Sequence, residues 1–503
     1  MRPSVIIAGG GPVGLMLACE LGLRGVHAVV LEQRAEAPTQ SAGMAYHGRT
    51  REAFGLRGLT DRISPEHSFL WPRTPFALLW LNLETVDSRD HTYAFPQWRT
   101  ERLLEDRARE LGVDIRRGHV LLDIEQDADE VTATVASPAG RYRLNGAYLA
   151  GCDGADSAVR RLAGIGFPDT GYPYHGLFAD VPATESLQDS FEAGLHRTGM
   201  AAVMPLEPGA VRVMAIEFEA PPAEAGAPAG DELGAMIERI TGRRPVLPEA
   251  RWVSRFGGST RLAQNYRRGR VLLAGDAAHL LFISGTQGLN AGIHDAMNLG
   301  WKLADEVLGR APAGLLDSYE TERRPVGQDM CDHANAVLAL LHHPVEHLSP
   351  LRSLFAELLR YDDVNRLLLQ MPTAARYPVG DPADAGHPLT GQPIQDVDLL
   401  TAAGPVGLFD MMSSGQGLVL DLREPGAPEV IDPGRWLDRV SVVRAAPVRE
   451  FDAPLVLVRP DGHVAYAGPD VAALHAALRT WFGEGDVHSS DKVNGLAVPA
   501  GTA

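Results

Sequence analysis

The sequence predicts an α/β protein organised around a doubly wound, mostly parallel sheet. Three stretches carry that expectation. An apolar run over residues 4–8 enters the turn Gly9-Gly10-Gly11-Pro12-Val13-Gly14, and an apolar-periodic segment follows through Leu15, Ala18, Cys19, Leu21 and Leu23. A second buried strand, residues 28–31, comes next. Far along the chain, residues 271–274 repeat the pattern, leading through another glycine-rich turn into a long helix over 289–308.

The remaining elements follow in order. The first helix ends at Arg24-Gly25, a glycine stop. Residues 100–111 set Leu103, Leu104, Ala108 and Leu111 at helical spacing with charges between them. Short strands are expected at 121–126, 131–135 and 141–144, closing with an apolar strand at 148–151. From about 171 to 255 strand-like runs dominate, at 200–204 and 211–218, around a Pro/Ala/Gly loop at 221–230. That stretch reads as a separate β layer. Residues 319–369 read as helical, and Pro and Gly gather at 377–392, a domain boundary. Beyond it lie strands at 417–422, 440–443, 455–458 and 464–466 and a last helix at 471–482.

At 503 residues the chain is too long for one core, so two or three domains are expected. A formal charge of −18 argues against nucleic acid and against anionic lipid, both of which are themselves anionic. No apolar run approaches the roughly 20 residues that span a bilayer. The opening runs straight into the glycine turn and reads as a first strand, not a signal peptide. Cys19, Cys152 and Cys331 are scattered, with no C-x-x-C pair, so neither a disulfide framework nor a cysteine metal site is supported. A soluble, cytoplasmic protein, monomer or homodimer, is expected.

Gly9-x-Gly11-x-x-Gly14, with Glu32 closing the second strand, is a dinucleotide-binding pattern. The glycines permit a tight turn and close backbone approach to a pyrophosphate. The helix N-terminus adds amide donors, and Glu32 is placed to accept ribose hydroxyls. The segment Arg270-Val-Leu-Leu-Ala-Gly275-Asp276-Ala277-Ala278-His279 decides between nucleotides: an aspartate there suits a ribityl chain, present in FAD and absent from NAD. A third carboxylate, Asp153, sits in Cys152-Asp153-Gly154-Ala155-Asp156-Ser157-x-x-Arg160. Singly, each is an Asx turn with a capping role; jointly they point to FAD.

With these segments in view, the chain resembles the class A flavoprotein monooxygenases of the para-hydroxybenzoate hydroxylase type. Within them it is most similar to the hydroxylases that tailor angucycline and other aromatic polyketides. The likeness extends through Gln97-x-x-x-Glu101-x-x-Leu104, Tyr266-Arg267-Arg268-Gly269-Arg270, the stretch from Gln287 to Leu303, and Arg459-Pro460-Asp461-Gly462. The resemblance implies a Rossmann-like FAD domain of the glutathione reductase type (1–175 and 256–385). It also implies an inserted β-sheet substrate domain (176–255) and a thioredoxin-like C-terminal domain (391–490) without redox cysteines. It extends the expected cofactor contacts to Pro12, Gln33, Arg49, Gln97, Gly285, Gln287, Gly288, Leu289 and Asn290. The implied chemistry is reduction of FAD by NADPH, addition of oxygen to give a C4a-hydroperoxide, and hydroxylation of a polyketide-like small molecule.

Three positions depart from the family pattern. Ala42 stands where an arginine is common, Ile283 where a proline is usual, and Thr286 where a second glycine is usual; His47 and Arg49 lie near enough to compensate for Ala42. These departures keep open a second reading, a redox-silent FAD-dependent cyclase forming a decalin by [4+2] cycloaddition. Trp80, Tyr93, Phe95, Met204, Phe218 and Trp252 are candidates for the substrate pocket, although such residues are more often plain core. No catalytic base and no metal cluster stands out; His47, His67 and His279 read as structural.

Overall fold

A computed structural model describes residues 5–71, 73–83, 87, 91–170, 174–188, 191, 193–218, 228, 231–282, 287–342, 345–370, 386–424, 426–431, 436 and 438–485. The chain divides into two compact units, Met1–Leu308 with Leu316–Ala375, and Gly309–Leu315 with Arg376–Ala503.

The first unit is centred on a six-stranded sheet. Its order is Arg267–Arg268, Val271–Leu273, Tyr148–Gly151, Val5–Ala8, Ala28–Glu32 and Asp114–Arg117. All pairs are parallel except the outermost, Arg267–Arg268 against Val271–Leu273. The four inner strands are buried along their whole length, which is why they read as unbroken apolar runs and not as alternation. The helices Pro12–Leu23 and Gln287–Val307 pack together, and Gly300 permits the contact: a Cβ there would lie 2.3 Å from Glu20 Cβ. Glu20 forms a buried ion pair with Arg57 at 2.5 and 2.7 Å. The strands expected between 121 and 144 form an antiparallel sheet of Val120–Gln126, Val131–Ser137 and Gly140–Gly146.

A second, five-stranded antiparallel sheet runs Gly194–His196, Gly199–Glu207, Ala210–Glu217, Tyr174–Pro182 and Trp252–Gly258. One face packs Leu177, Ala179, Val181, Ala201, Val213 and Ala215 against Leu233, Met236, Ile237 and Ile240 of the helix Glu232–Thr241. Most of the 221–230 loop lies outside the described residues. The helical stretch expected at 319–369 is three helices, Ser318–His342, Val345–Leu358 and Asp362–Gln370.

The second unit holds a four-stranded sheet, Val440–Arg444, Gly417–Asp421, Leu455–Val458 and Val464–Gly468, covered by the helix Val471–Phe482. Only the first pair is parallel. Among the described residues, no helix is long and apolar enough to cross a membrane. Within the same set, no group of histidine, cysteine or carboxylate side chains is placed to hold a metal. All three cysteines are free and buried, and burial pushes the Cys331 thiol up to about 12.

Candidate active site

The first glycine turn is shaped for close approach. Gly9 has a φ of +105°, and a Cβ there would lie 2.2 Å from the Cys152 carbonyl oxygen; at Gly14 it would lie 2.0 Å from the Gly9 carbonyl oxygen. Both positions exclude any side chain. At Gly11 a Cβ meets nothing within 4 Å. That face opens onto a groove of about 690 Å³ that runs past Glu32 and Gln33 to Asp153, Asp276 and Gly288.

Three of the carboxylates that line the groove are in different states. Glu32 Oε2 accepts the Gly10 amide at 2.7 Å, and Oε1 accepts the Arg34 amide at 2.8 Å and its Nε at 3.0 Å. Burial raises the Glu32 pKa, but the Arg34 bonds outweigh it and hold the group below its usual range. Asp153 Oδ2 accepts the Val159 amide at 3.0 Å, while Oδ1 is buried without a protein partner. Asp276 is exposed, but its exposure is to the cavities that it lines. So deep a position desolvates the carboxyl and pushes its pKa up, with His279 opposing and Asp295 adding. Arg160 joins the two acidic turns, donating to the Ala277 carbonyl at 2.9 Å and the Ala155 carbonyl at 2.7 Å.

The helix Gln287–Val307 begins where the groove ends, so its first-turn amides and positive dipole end face that space. Asp295 fixes its position. The carboxylate accepts the Gly275 amide at 3.0 Å, His279 Nε2 at 2.6 Å and Arg323 Nε at 2.7 Å. Burial alone would raise its pKa, but Arg323 and His279 bring it down to about 2. Gly292 lets the helix sit against the first turn, since a Cβ there would lie 2.4 Å from a Val13 methyl.

Beyond Gln97, Asp276, Gly288 and Leu289 lies a second, apolar cavity of about 350 Å³, and those four residues line both spaces. Its far wall is the free face of the five-stranded sheet. Tyr174 and Phe178 on one strand, Met214 and Ile216 on the next, and Met200 and Met204 on the one beyond alternate inward with period two. Gly176 leaves room for the Phe256 ring: a Cβ there would lie 2.3 Å from Phe256 Cζ. Arg212 closes one end. It binds Asp180 twice, at 2.7 and 2.9 Å, stacks on Phe178 at 4.3 Å, and donates to the Ser41 carbonyl at 2.7 Å and to the Ala42 carbonyl.

The FAD-binding-domain family matches residues 2–334, and the C-terminal region of aromatic-ring hydroxylases matches residues 387–485. The chain belongs to the FAD-binding aromatic-ring hydroxylases. It is 40% identical to a 12-dehydrotetracycline 5-monooxygenase/anhydrotetracycline 6-monooxygenase of Streptomyces rimosus, over 96% of this chain and 99% of that one. It is 41% identical, over the same shares, to a dialkyldecalin synthase of Streptomyces rugosporus. A solved anhydrotetracycline hydroxylase from Streptomyces rimosus superposes with a TM-score of 0.88 at 37% identity, covering 97% of this chain and all of that one. The chain is thus a mixed α/β, FAD-dependent enzyme. The groove fits the cofactor on its own evidence: an open face at Gly11, an unpartnered Asp153 oxygen, and a helix start at the far end.

The expected cofactor residues fall in several places. Gly9, Gly11, Pro12, Glu32, Gln33, Gln97, Asp153, Asp276, Gly288 and Leu289 line the groove, and Gly14 packs beneath it. Gln287 lines the apolar cavity, its Oε1 buried without a partner. Asn290 spends its side chain on the His47 amide, 2.8 Å, and the Thr50 hydroxyl, 2.5 Å. Arg49 pairs with Glu52 at 2.9 Å and does not line the groove. Gly285, Ile283 and Thr286 lie outside the described residues.

Of the six expected pocket residues, the structure brings only Met204 to the apolar cavity. Trp80 sits at the surface under the Arg73 guanidinium, and Tyr93 stacks on Tyr46. Phe95 lines a different cleft. Phe218 lies one residue past the end of its strand, and Trp252, on the chamber's sheet face, packs against Arg212 and Phe178 outside the lining. Strand parity was the available signal for the residues that do line it: 200, 202 and 204 share a face with 212, 214 and 216. Tyr174, Phe178 and Phe256 were missed because their strands were not delimited. Glu101, Arg34 and Arg161 in the groove also went unassigned.

Proposed function

We propose that this chain is a cytoplasmic, NADPH- and oxygen-dependent FAD monooxygenase that hydroxylates a polyketide-like molecule. The observation that carries the reading is the shared wall. Gln97, Asp276, Gly288 and Leu289 separate a polar nucleotide groove from an apolar chamber by one layer of residues. A cofactor in the groove and a substrate in the chamber would therefore meet there. FAD supplies electron transfer and oxygen activation when bound.

The protein's own contribution is positioning and electrostatics. Gly9, Gly11 and the first turn of Pro12–Leu23 would take the pyrophosphate, Glu32 the adenosine ribose, and Asp153 and Asp276 the remaining hydroxyl chain. The amides of Gln287, Gly288 and Leu289 bring positive potential to the shared wall, where negative charge develops during reduction. The methionines and aromatics of the chamber exclude water from it. Each Arg212 nitrogen is already bonded within the protein, so among the described residues the chamber offers no spare cation for a substrate carboxylate. An uncharged fused-ring substrate fits that wall. In the same reading the five-stranded sheet is the substrate domain inserted in the FAD domain, and the second unit is a cysteine-free, thioredoxin-like domain.

The experiment is anaerobic mixing of the purified yellow protein with NADPH, with and without aromatic polyketides, following the oxidised-flavin absorbance. Rapid, substrate-stimulated bleaching is expected. One observation favours the second reading, redox-silent cyclisation. The loop carrying Ala42 is tied by Arg212 to the substrate sheet, which suits a flavin held in one place as a structural element. Product formation without NADPH or oxygen, and no bleaching, would decide for the cyclase.

A further inference from the structure

The strands Arg73–Phe76 and Leu79–Asn82 form a hairpin that turns through Ala77 and Leu78 alone. Both residues have positive φ, +51° and +59°. Two left-handed positions in a two-residue connection are the signature of a type I′ turn, for which Asn-Gly is the relaxed sequence. In alanine and leucine the Cβ crowds the following carbonyl, so both positions are strained. Among the described residues three non-glycine residues have positive φ, and two of them are adjacent in this turn.

Three helices hold the hairpin in this form. Arg352, on Val345–Leu358, donates from Nη1 to the Ala77 carbonyl at 2.8 Å and to the Leu340 carbonyl at 2.9 Å. The Phe76 ring lies 5.8 Å from His333, on Ser318–His342, and 6.1 Å from Phe355. At the open end Asn365, on Asp362–Gln370, accepts the Asn82 amide at 2.9 Å and donates to its carbonyl at 2.5 Å. Strained backbone persists where its surroundings over-determine it, and such places cluster at ligand sites.

The turn is not a solvent-facing tip. Ala77 is buried and Leu78 half-buried, and both line the apolar chamber beside Trp71, Pro75 and Leu341. A relaxed Asn-Gly turn would put an amide into that wall and leave the volume of the leucine empty. The strained pair instead presents an apolar side chain to a space of about 350 Å³. In a pocket of this kind a single methylene changes discrimination between ligands by roughly 10–200-fold. We propose that Leu78 is a specificity-determining residue, held in a left-handed turn so that its side chain limits how many fused rings the chamber accepts. The inference rests on the reading of the chamber as the substrate site, and it holds for oxygenation and for cyclisation alike.

The test is equilibrium dialysis of FAD-loaded protein against a hydroxyanthraquinone and a hydroxytetracenequinone, probes of like chemistry that differ by one fused ring. Relative to wild type, Leu78→Gly should move the ratio of the two affinities at least about fivefold toward the larger probe. Leu78→Ala keeps the backbone restriction and should move the ratio the same way, so the answer does not hang on the folding of one variant. Ala77→Gly relaxes the turn with Leu78 in place and should leave the ratio where it is. A smaller shift in both Leu78 variants, an equal shift in Ala77→Gly, or no binding of either probe to wild type would overturn the assignment. Anaerobic bleaching by NADPH reads the monooxygenase proposal separately. If wild type is not bleached but the ratio shifts, that reading falls and Leu78 remains the selector. If a polyketide stimulates bleaching but the ratio does not shift, the reading stands and the selector falls.

Discussion

The nucleotide groove and the apolar chamber share a wall but are built on opposite principles. The groove is made mainly of backbone. Gly9, Gly14 and Gly292 each bring main chain so close to a neighbour that a Cβ would intrude to 2.4 Å or less. The chamber is made of side chains projecting from alternate positions of a sheet, where a methionine can replace another apolar group at small cost. Backbone contact fixes residue identity, whereas a side-chain wall fixes only size and polarity. This fits the spread among relatives, since proteins named for hydroxylation and for decalin formation match this chain over nearly the same length.

The comparison breaks most sharply at Gly14. In Gly14→Val the added Cβ would sit 2.0 Å from the Gly9 carbonyl oxygen, with no flexible neighbour to yield. The variant should purify colourless or insoluble, and the ratio of flavin to protein absorbance reads this directly. A yellow, stable Gly14→Val protein would refute the backbone account. Asp295→Asn comes next. It leaves Arg323 buried beside a neutral group, a change that costs about 3–5 kcal/mol when one partner of a buried pair is lost. The pH dependence has a definite sign. Asp295 has a folded pKa of about 2, below its ordinary 3.8, so its stabilisation is present above pH 3.8 and lost as pH falls through 2. Urea melts should therefore separate wild type from Asp295→Asn widely at pH 7 and converge toward pH 2.

The same contrast explains what was legible in the sequence. Gly9, Gly11, Gly14 and Glu32 could be read because one strand-turn-helix-strand unit carries them at fixed spacing, and Asp276 because it follows a buried strand in a Gly-Asp turn. Arg49 and Asn290 follow the family pattern, yet their side chains are committed to Glu52 and to the 47–50 turn. Chain position does not reveal such commitments. The chamber was nearly illegible. Its residues come from separate strands, and an aromatic in a strand looks the same whether it lines the chamber, as Phe178 does, or lies on the same sheet face beyond it, as Trp252 does. Arg212 was invisible for a related reason: its partners Asp180, Ser41 and Ala42 are distant in the chain.

A smaller effect is expected inside the chamber. Met214 lies at its centre, paired across the sheet with Phe178 on one side and Ala202 on the other. Met214→Trp should keep FAD, because no groove contact changes, but occupy volume that a fused-ring substrate needs. A tenfold or greater rise in KM, about 1.4 kcal/mol of lost binding, is expected with flavin content unchanged. Loss of FAD in this variant would mean that the two spaces are not independently built.

The smallest effect tests the other side of the same boundary. Trp80 is 36% exposed, and the Arg73 guanidinium lies 4.3 Å above its ring. An exposed contact of this kind contributes about 0.5–1 kcal/mol. The neighbouring turn residues Ala77 and Leu78, not Trp80, reach the chamber. Trp80→Ala should therefore lower thermal stability slightly and leave KM, turnover and flavin content where they were. A KM shift comparable to that of Met214→Trp would show that the chamber wall extends through the hairpin of Arg73–Phe76 and Leu79–Asn82 to its outer face.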